Sequence, residues 1–232
     1  MAETKIKRAP GRGRFITFEG GEGSGKSTQI KKLAERLEAS SLRALITREP
    51  GGSPGAEIIR HVLLSGAAKA LGPDAEAILF AAARDDHVVS TIAPALTRGR
   101  WVVSDRFVDS TSVYQGALGH VDPLLLGGLR RVTIGTLKPD LTFILDLPAE
   151  VGLERASRRR GREGADRFEA ESLEFHENLR EAYLHLAAGE PDRCVLIDAR
   201  ESEAAVAARI WDTVVKRLDP ATAPVTLEDV AS

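Results

Sequence analysis

The sequence predicts an α/β fold: a doubly wound, five-stranded parallel sheet with helices on both faces. Three features predict it. Five short runs are almost continuously apolar, as strands covered on both faces are. Stretches of helical periodicity alternate with those runs, the pattern that produces right-handed crossovers between parallel strands. A glycine-rich segment joins the first apolar run to the first helical stretch. The 232 residues, 43% hydrophobic and 28% charged, suit one domain with a sizeable core and exclude wholesale disorder.

In chain order, residues 1–13 lack periodicity, contain Pro10, Gly11 and Gly13, and read as a mobile tail. Strands are predicted at Phe15–Glu19, Arg43–Thr47, Trp101–Asp105, Leu141–Leu147 and Cys194–Asp198. Helices are predicted over 26–39, 54–66, 73–98, 121–135, 149–160, 168–188 and 201–217. The segment 219–232, with Pro220 and Pro224, reads as a second tail, which leaves 14–218 as the domain. No run approaches the roughly 20 apolar residues a membrane span needs. Basic residues near the start are followed by no apolar core, so they do not form a secretory signal. Cys194 is the one cysteine, so neither an intramolecular disulfide nor a cysteine-ligated zinc site is expected. A net charge of -2 gives no global attraction to nucleic acid or an acidic membrane. A cytoplasmic protein is the expectation.

In such sheets ligands sit at the carboxyl ends of the strands. There the chain places Gly20-Gly21-Glu22-Gly23-Ser24-Gly25-Lys26-Ser27-Thr28, which fits G-x-x-x-x-G-K-[ST] between a strand and a helix. Glycines let backbone N–H groups curl around phosphate oxygens, and the helix N-terminus adds partial positive charge. Lys26 is placed to bridge terminal phosphates and Ser27 to contribute to a magnesium site. Asp105, an acid at the end of an apolar strand, is the candidate partner for that metal. The fold is therefore expected to be of the P-loop NTPase type. No Asn-Lys-x-Asp segment is present, and no acid directly follows Asp105, which weakens switch-GTPase and motor-ATPase readings.

Further motifs resemble those of thymidylate kinases, over about Phe15 to Trp211. They are Phe18-Glu19-Gly20-Gly21-Glu22-Gly23, Thr47-Arg48-Glu49-Pro50-Gly51-Gly52, Phe80 with Arg84, Asp105-Arg106-Phe107, Ser110-Thr111 with Tyr114-Gln115, and Asp166-Arg167-Phe168-Glu169. The resemblance implies phosphorylation of dTMP to dTDP by ATP with Mg²⁺, in dTTP biosynthesis, by a homodimer.

Phe80 and Arg84 are four residues apart and share a helical face. The resemblance makes Phe80 the ring that stacks on thymine and Arg84 the donor to its O4. Without the motif core packing is the favoured reading of Phe80, and Arg84 also suits a surface pair with Asp85 or a neighbouring acid. Arg48 and Arg106 follow strand ends, and their planar forks suit bidentate phosphate contacts. The resemblance places the dTMP phosphate between them; either one is also a candidate for a structural ion pair. Glu22 is an acid inside a loop built for anions, a local conflict that points to function. Its family counterpart accepts from the dTMP 3′-hydroxyl. Ser110 matches a family position, Thr111 and Gln115 are candidates for reading the base edge, and Tyr114 for excluding a ribose 2′-hydroxyl.

Arg155, Arg158, Arg159, Arg160, Arg162 and Arg167 put six arginines within thirteen residues, with Gly161 and Gly164 between. Such runs are usually solvated helix ends. The resemblance makes this stretch, about 154–169, an arginine-rich lid over ATP, in the family branch whose P-loop carries no arginine. Arg155, Arg160 and Arg167 are the favoured phosphate contacts. Phe107 departs from the family's usual tyrosine or histidine. The rival readings are a kinase for another nucleoside monophosphate, and a nucleotide-dependent switch without metabolite transfer.

Overall fold

The structure, a computed structural model, describes residues 13–160 and 168–220, and of residues 159 and 160 the backbone alone. Its strands are β1 (Phe15–Glu19), β2 (Ala44–Arg48), β3 (Trp101–Asp105), β4 (Leu141–Asp146) and β5 (Cys194–Asp198). All pairings are parallel, in the order β2-β3-β1-β4-β5. The helices are α1 (Lys26–Ala39), α2 (Pro54–Leu64), α3 (Pro73–His87), α4 (Ala93–Thr97), α5 (Val108–Thr111), α6 (Pro123–Ile134), α7 (Ala149–Arg160), α8 (Leu173–Gly189) and α9 (Glu203–Leu218). The doubly wound parallel sheet is as the sequence predicts.

Side chains alternate across the sheet. Ile16, Phe18, Trp101, Val103, Leu141, Phe143 and Leu145 face α1 and α9, where they pack on Leu33, Leu37, Ile210 and Val214. Phe15 and Val102 face the other way, onto Ile92, Leu96, Phe107 and Ile134. That second face also carries Thr17, Glu19, Ser104 and Thr142, all fully buried. Thr17 and Thr142 share a hydroxyl contact of 2.7 Å. Beyond it Arg193 donates to Thr142 at 2.5 Å and, twice, to Asp109 at 2.6 and 3.0 Å. Buried polar groups are tolerable only when satisfied in this way. Cys194 lies in the same layer, and burial pushes its thiol up to about 12.

Local signals set the helix boundaries. Asp122, Ser172 and Ser202 cap α6, α8 and α9 by accepting the N–H groups of Leu124, Phe175 and Ala205. The predicted helix over 73–98 is α3 and α4 joined by a π-helical stretch, Val88–Ile92. The cause is Pro94, which has no N–H and whose ring crowds the carbonyl four residues back. A helical segment that the sequence does not announce is α5, continued as a π-helical Ser112–Leu118. Gly13, placed in the predicted tail, is buried and donates to the Leu96 carbonyl at 2.8 Å. Among the described residues no helix is long and apolar enough to cross a membrane.

Candidate active site at the carboxyl edge of the sheet

The chain leaves β1, β2 and β3 at neighbouring points. Register pairs Asp105 with both Phe18 and Arg48, so the glycine-rich loop, the Arg48 turn and the Arg106 turn open side by side. Between them lies a cleft of about 520 Å³. Gly23 to Thr28 line it, together with Arg48, Phe80, Arg84, Arg106, Thr111, Tyr114 and Gln115.

The loop is folded for anions. Gly23 has a φ of 65° and Gly25 one of 92°, backbone states that a side chain disfavours. A Cβ on Gly23 would also run into the Gly152 carbonyl of α7, so no larger residue fits this loop position unless α7 moves. Lys26 is buried and donates to the carbonyls of Gly20 at 3.1 Å and Gly21 at 2.8 Å. Burial, helped by Arg106, lowers its ammonium from the ordinary lysine value, against the pull of Glu22, Asp105 and Glu19. Ser27 Oγ donates to Asp105 Oδ2 at 2.9 Å, joining the two residues singled out for a metal.

Arg106 is the junction of a second group of side chains that lines the cleft. It has a φ of 69°, and its N–H donates to the Phe18 carbonyl at 2.9 Å. Its guanidinium donates to Glu22 at 2.7 Å, Tyr183 at 3.1 Å and Ser110 at 3.2 Å, and lies 5.2 Å over the Tyr114 ring. Burial pushes the Glu22 carboxyl up, but Arg106, Lys26 and His176 outweigh it and hold the group below the ordinary carboxylate range. Glu22 is therefore an anion paired directly with Arg106.

Arg84 is buried. Its Nε donates to Glu49 at 2.8 Å and its Nη2 to Thr111 Oγ1 at 2.9 Å. The acid it pairs with is the buried Glu49, so the alternative of a surface pair with Asp85 or a neighbouring acid does not hold. Phe80 is half-buried beside the cleft, 6.2 Å from the Phe168 ring, whose edge meets Tyr114 at 5.3 Å. It belongs to an aromatic wall and not to the sheet core. Arg48 is exposed and paired with Glu57 at 2.9 Å. Phe107 is buried against Phe15, rings 4.9 Å apart.

Of the arginine run, Arg155 donates to the Ala199 carbonyl at 3.2 Å, beyond β5 and outside the cleft lining. Arg158 pairs with Glu154 at 2.6 Å on the exposed face of α7. The side chain of Arg160, and Arg167 entirely, lie outside the described residues, as does 161–167 of the expected lid.

A family model described as thymidylate kinase matches residues 18–210. The chain belongs to the thymidylate kinase family. A thymidylate kinase of Bradyrhizobium diazoefficiens is 63% identical over 225 residues, 97% of this chain and 99% of that one. A thymidylate kinase of Nitrobacter winogradskyi is 65% identical over 211 residues, 91% of this chain and 92% of that one. The crystal structure of thymidylate kinase from Ehrlichia chaffeensis superposes with a TM-score of 0.70 at 31% identity, covering 88% of this chain and 99% of that one.

The cleft of this family member brings together the glycine-rich loop, Lys26, Ser27, Asp105, Arg48, Phe80, Arg84, Arg106, Ser110, Thr111, Tyr114 and Gln115. Four supporting residues escaped sequence reasoning. Glu49 holds Arg84 and contacts His87 Nδ1 at 3.2 Å, while His87 Nε2 meets Thr47 at 2.6 Å. Glu19 and Tyr183 lie behind Arg106. Glu19 and Glu49 stand inside the motifs that carried the resemblance. Tyr183 and His87 gave no signal, because a residue in a helical stretch looks the same whether it meets lipophilic or polar neighbours.

Proposed function

We propose that this chain transfers the terminal phosphoryl group of ATP to the 5′-phosphate of dTMP, giving ADP and dTDP. The observation that carries the reading is the lining of a single cleft. The glycine-rich loop with Lys26 and the side chains of Arg106, Arg84 and Phe80 all border it. A cleft bordered by both an anion cradle and arginines with an aromatic ring suits two nucleotides meeting phosphate to phosphate.

In this reading the loop N–H groups and Lys26 bind the donor phosphates, and Lys26 leaves its carbonyl partners to do so. Arg106 and Arg48 hold the acceptor phosphate, each exchanging a carboxylate partner for it. Phe80 stacks on thymine, Arg84 donates to O4, Glu22 takes the 3′-hydroxyl, and Thr111, Gln115 and Tyr114 border the base and sugar. Arg155, Arg160 and Arg167 remain candidates for contacts to the transferring group. The acceptor phosphate is largely dianionic at neutral pH, so no general base is needed, and catalysis is positioning with charge neutralisation. Ser27 and Asp105 supply hard oxygen donors in contact with each other, a set that fits Mg²⁺ completed by nucleotide phosphates. When bound, the ion neutralises charge on the donor phosphates.

A homodimer is part of the same reading. Ile58 on α2, Ile78 on α3 and Leu124 on α6 are large apolar side chains left 71%, 49% and 84% exposed on adjoining helices. Sedimentation equilibrium should give twice the chain mass, and a monomer at micromolar concentration would remove this part.

Arg106→Ala tests the acceptor assignment. The Km for dTMP should rise at least about tenfold while ATP affinity stays within about twofold. Equal loss of both affinities would make Arg106 a structural residue.

A further inference from the structure

Nη1 of Arg106 has two acceptors, the hydroxyl oxygens of Ser110 at 3.2 Å and Tyr183 at 3.1 Å. An oxygen that accepts from a guanidinium must send its own proton elsewhere. Both hydroxyls reach one carboxylate, and they also meet each other at 3.0 Å. Ser110 donates to Glu19 Oε2 at 2.6 Å, and Tyr183 donates to that atom at 3.0 Å. Glu19 Oε1 accepts the N–H of Phe107 at 2.8 Å, which pins the residue following Arg106. With Glu19 ionised, donation thus runs from the guanidinium through the two hydroxyls to a carboxylate.

Glu19 and Tyr183 are almost completely buried, and neither lines the cleft. The Tyr183 ring packs with Val113, Ile144, Leu179 and Cys194, which fixes where its hydroxyl can point. A phenyl ring would pack equally well there. It would leave Nη1 short of one acceptor and Glu19 short of one donor. The hydroxyl, and not the ring, is what the arginine requires.

On the reading that Arg106 binds the acceptor phosphate, we propose that Tyr183, backed by Glu19, is a positioning residue that fixes Nη1 of Arg106. Acceptor affinity is thereby set from α8, an element that contributes no residue to the cleft lining. Tyr183 acts through Arg106 and touches no reacting atom.

A double-mutant cycle separates positioning from simple packing. Binding of dTMP, thymidine and ATP is measured by calorimetry for wild type, Tyr183→Phe, Arg106→Ala and the double variant. Thymidine lacks the phosphate that Arg106 is to hold. Tyr183→Phe should weaken dTMP about tenfold and leave thymidine and ATP within about twofold. In the Arg106→Ala background the same substitution should have no further effect on dTMP. Equal weakening of dTMP and thymidine, or full additivity with Arg106→Ala, overturns the proposal and leaves Tyr183 a packing residue. Wild-type dTMP affinity in Arg106→Ala itself would instead refute the acceptor role of Arg106, and the proposal with it. Glu19→Gln is a second route if Tyr183→Phe does not fold. It keeps the acceptor for Phe107 but turns Oε2 into a donor, so dTMP should weaken selectively again; undiminished dTMP binding overturns the role of Glu19.

Discussion

Arg84→Met strips a buried charge from the floor of the cleft while keeping much of the side chain's volume. The guanidinium donates to Glu49 at 2.8 Å and to Thr111 at 2.9 Å, and the side chains of Arg84 and Glu49 are each 4% exposed. Without it the Glu49 carboxylate keeps a His87 contact at 3.2 Å and loses its charged partner. Removing one member of such a pair costs about 3–5 kcal/mol, since the other is left charged and away from water. At about 2–4 °C per kcal/mol for a chain of this size, Tm should fall by roughly 6–20 °C. Adding Glu49→Gln should recover at least half of the loss, because the stranded charge goes with it. Urea unfolding followed by circular dichroism on all four members of the cycle measures this directly. A single variant within about 1 kcal/mol of wild type, or two losses that simply add, would refute the reasoning. On the proposed assignment of Arg84 to the base, the rescued double variant should still bind dTMP poorly.

Two further outcomes follow from the same geometry. Lys26→Ala should cut turnover at least about a hundredfold with Tm changed by only a few degrees, because its contacts to loop carbonyls are modest beside its charge; steady-state rates and a thermal scan check both halves, and retained turnover refutes the phosphate role. Glu19 is driven from 4.5 to about 7 by burial and by Asp109, against Arg106, Ser110 and Phe107. Lys26, Tyr114, Tyr183 and Cys194 also feel its charge. A raised carboxyl means the folded chain holds this proton more tightly than the unfolded one, so its contribution to stability is full below pH 4.5 and is lost as pH rises through about 7. Relative to Glu19→Gln, which does not titrate, wild type should lose up to about 3 kcal/mol across that window. Unfolding at pH 5 and pH 8 tests the sign; a pH-independent difference, or one of opposite slope, refutes it.

Much of this architecture was legible because it rests on local signals. Strand β1 and the loop after it were readable as an apolar run meeting glycines whose positive φ values the phosphate cradle demands. The helix start at Pro54 was read from its proline, whereas the helices expected from 121 and 168 begin at Pro123 and Leu173, directly behind the caps Asp122 and Ser172. The segment from Val108 to Leu118 was not legible as a helix. Its Asp109, Thr111 and Gln115 are buried polar residues, so the apolar stripe that normally betrays a helix is missing. Their partners are supplied by distant elements: Asp109 meets Arg193, 84 residues away, and Thr111 meets Arg84, 27 residues away. The same physics hid Tyr183, whose contact with Glu19 spans 164 residues. Arg48, Arg84 and Arg106 were visible as site candidates, whereas the carboxylates that hold them, Glu57, Glu49 and Glu22, show how each is poised only once the sheet is closed.

The most direct test of the account is ADP production from ATP and magnesium with dTMP, dUMP, CMP and AMP offered separately as acceptors. A pocket bounded by Phe80, Arg84, Thr111, Tyr114 and Gln115 predicts turnover that depends on dTMP, with weaker use of the others. Faster turnover with AMP, or bound ATP with no acceptor-dependent turnover at all, would contradict it.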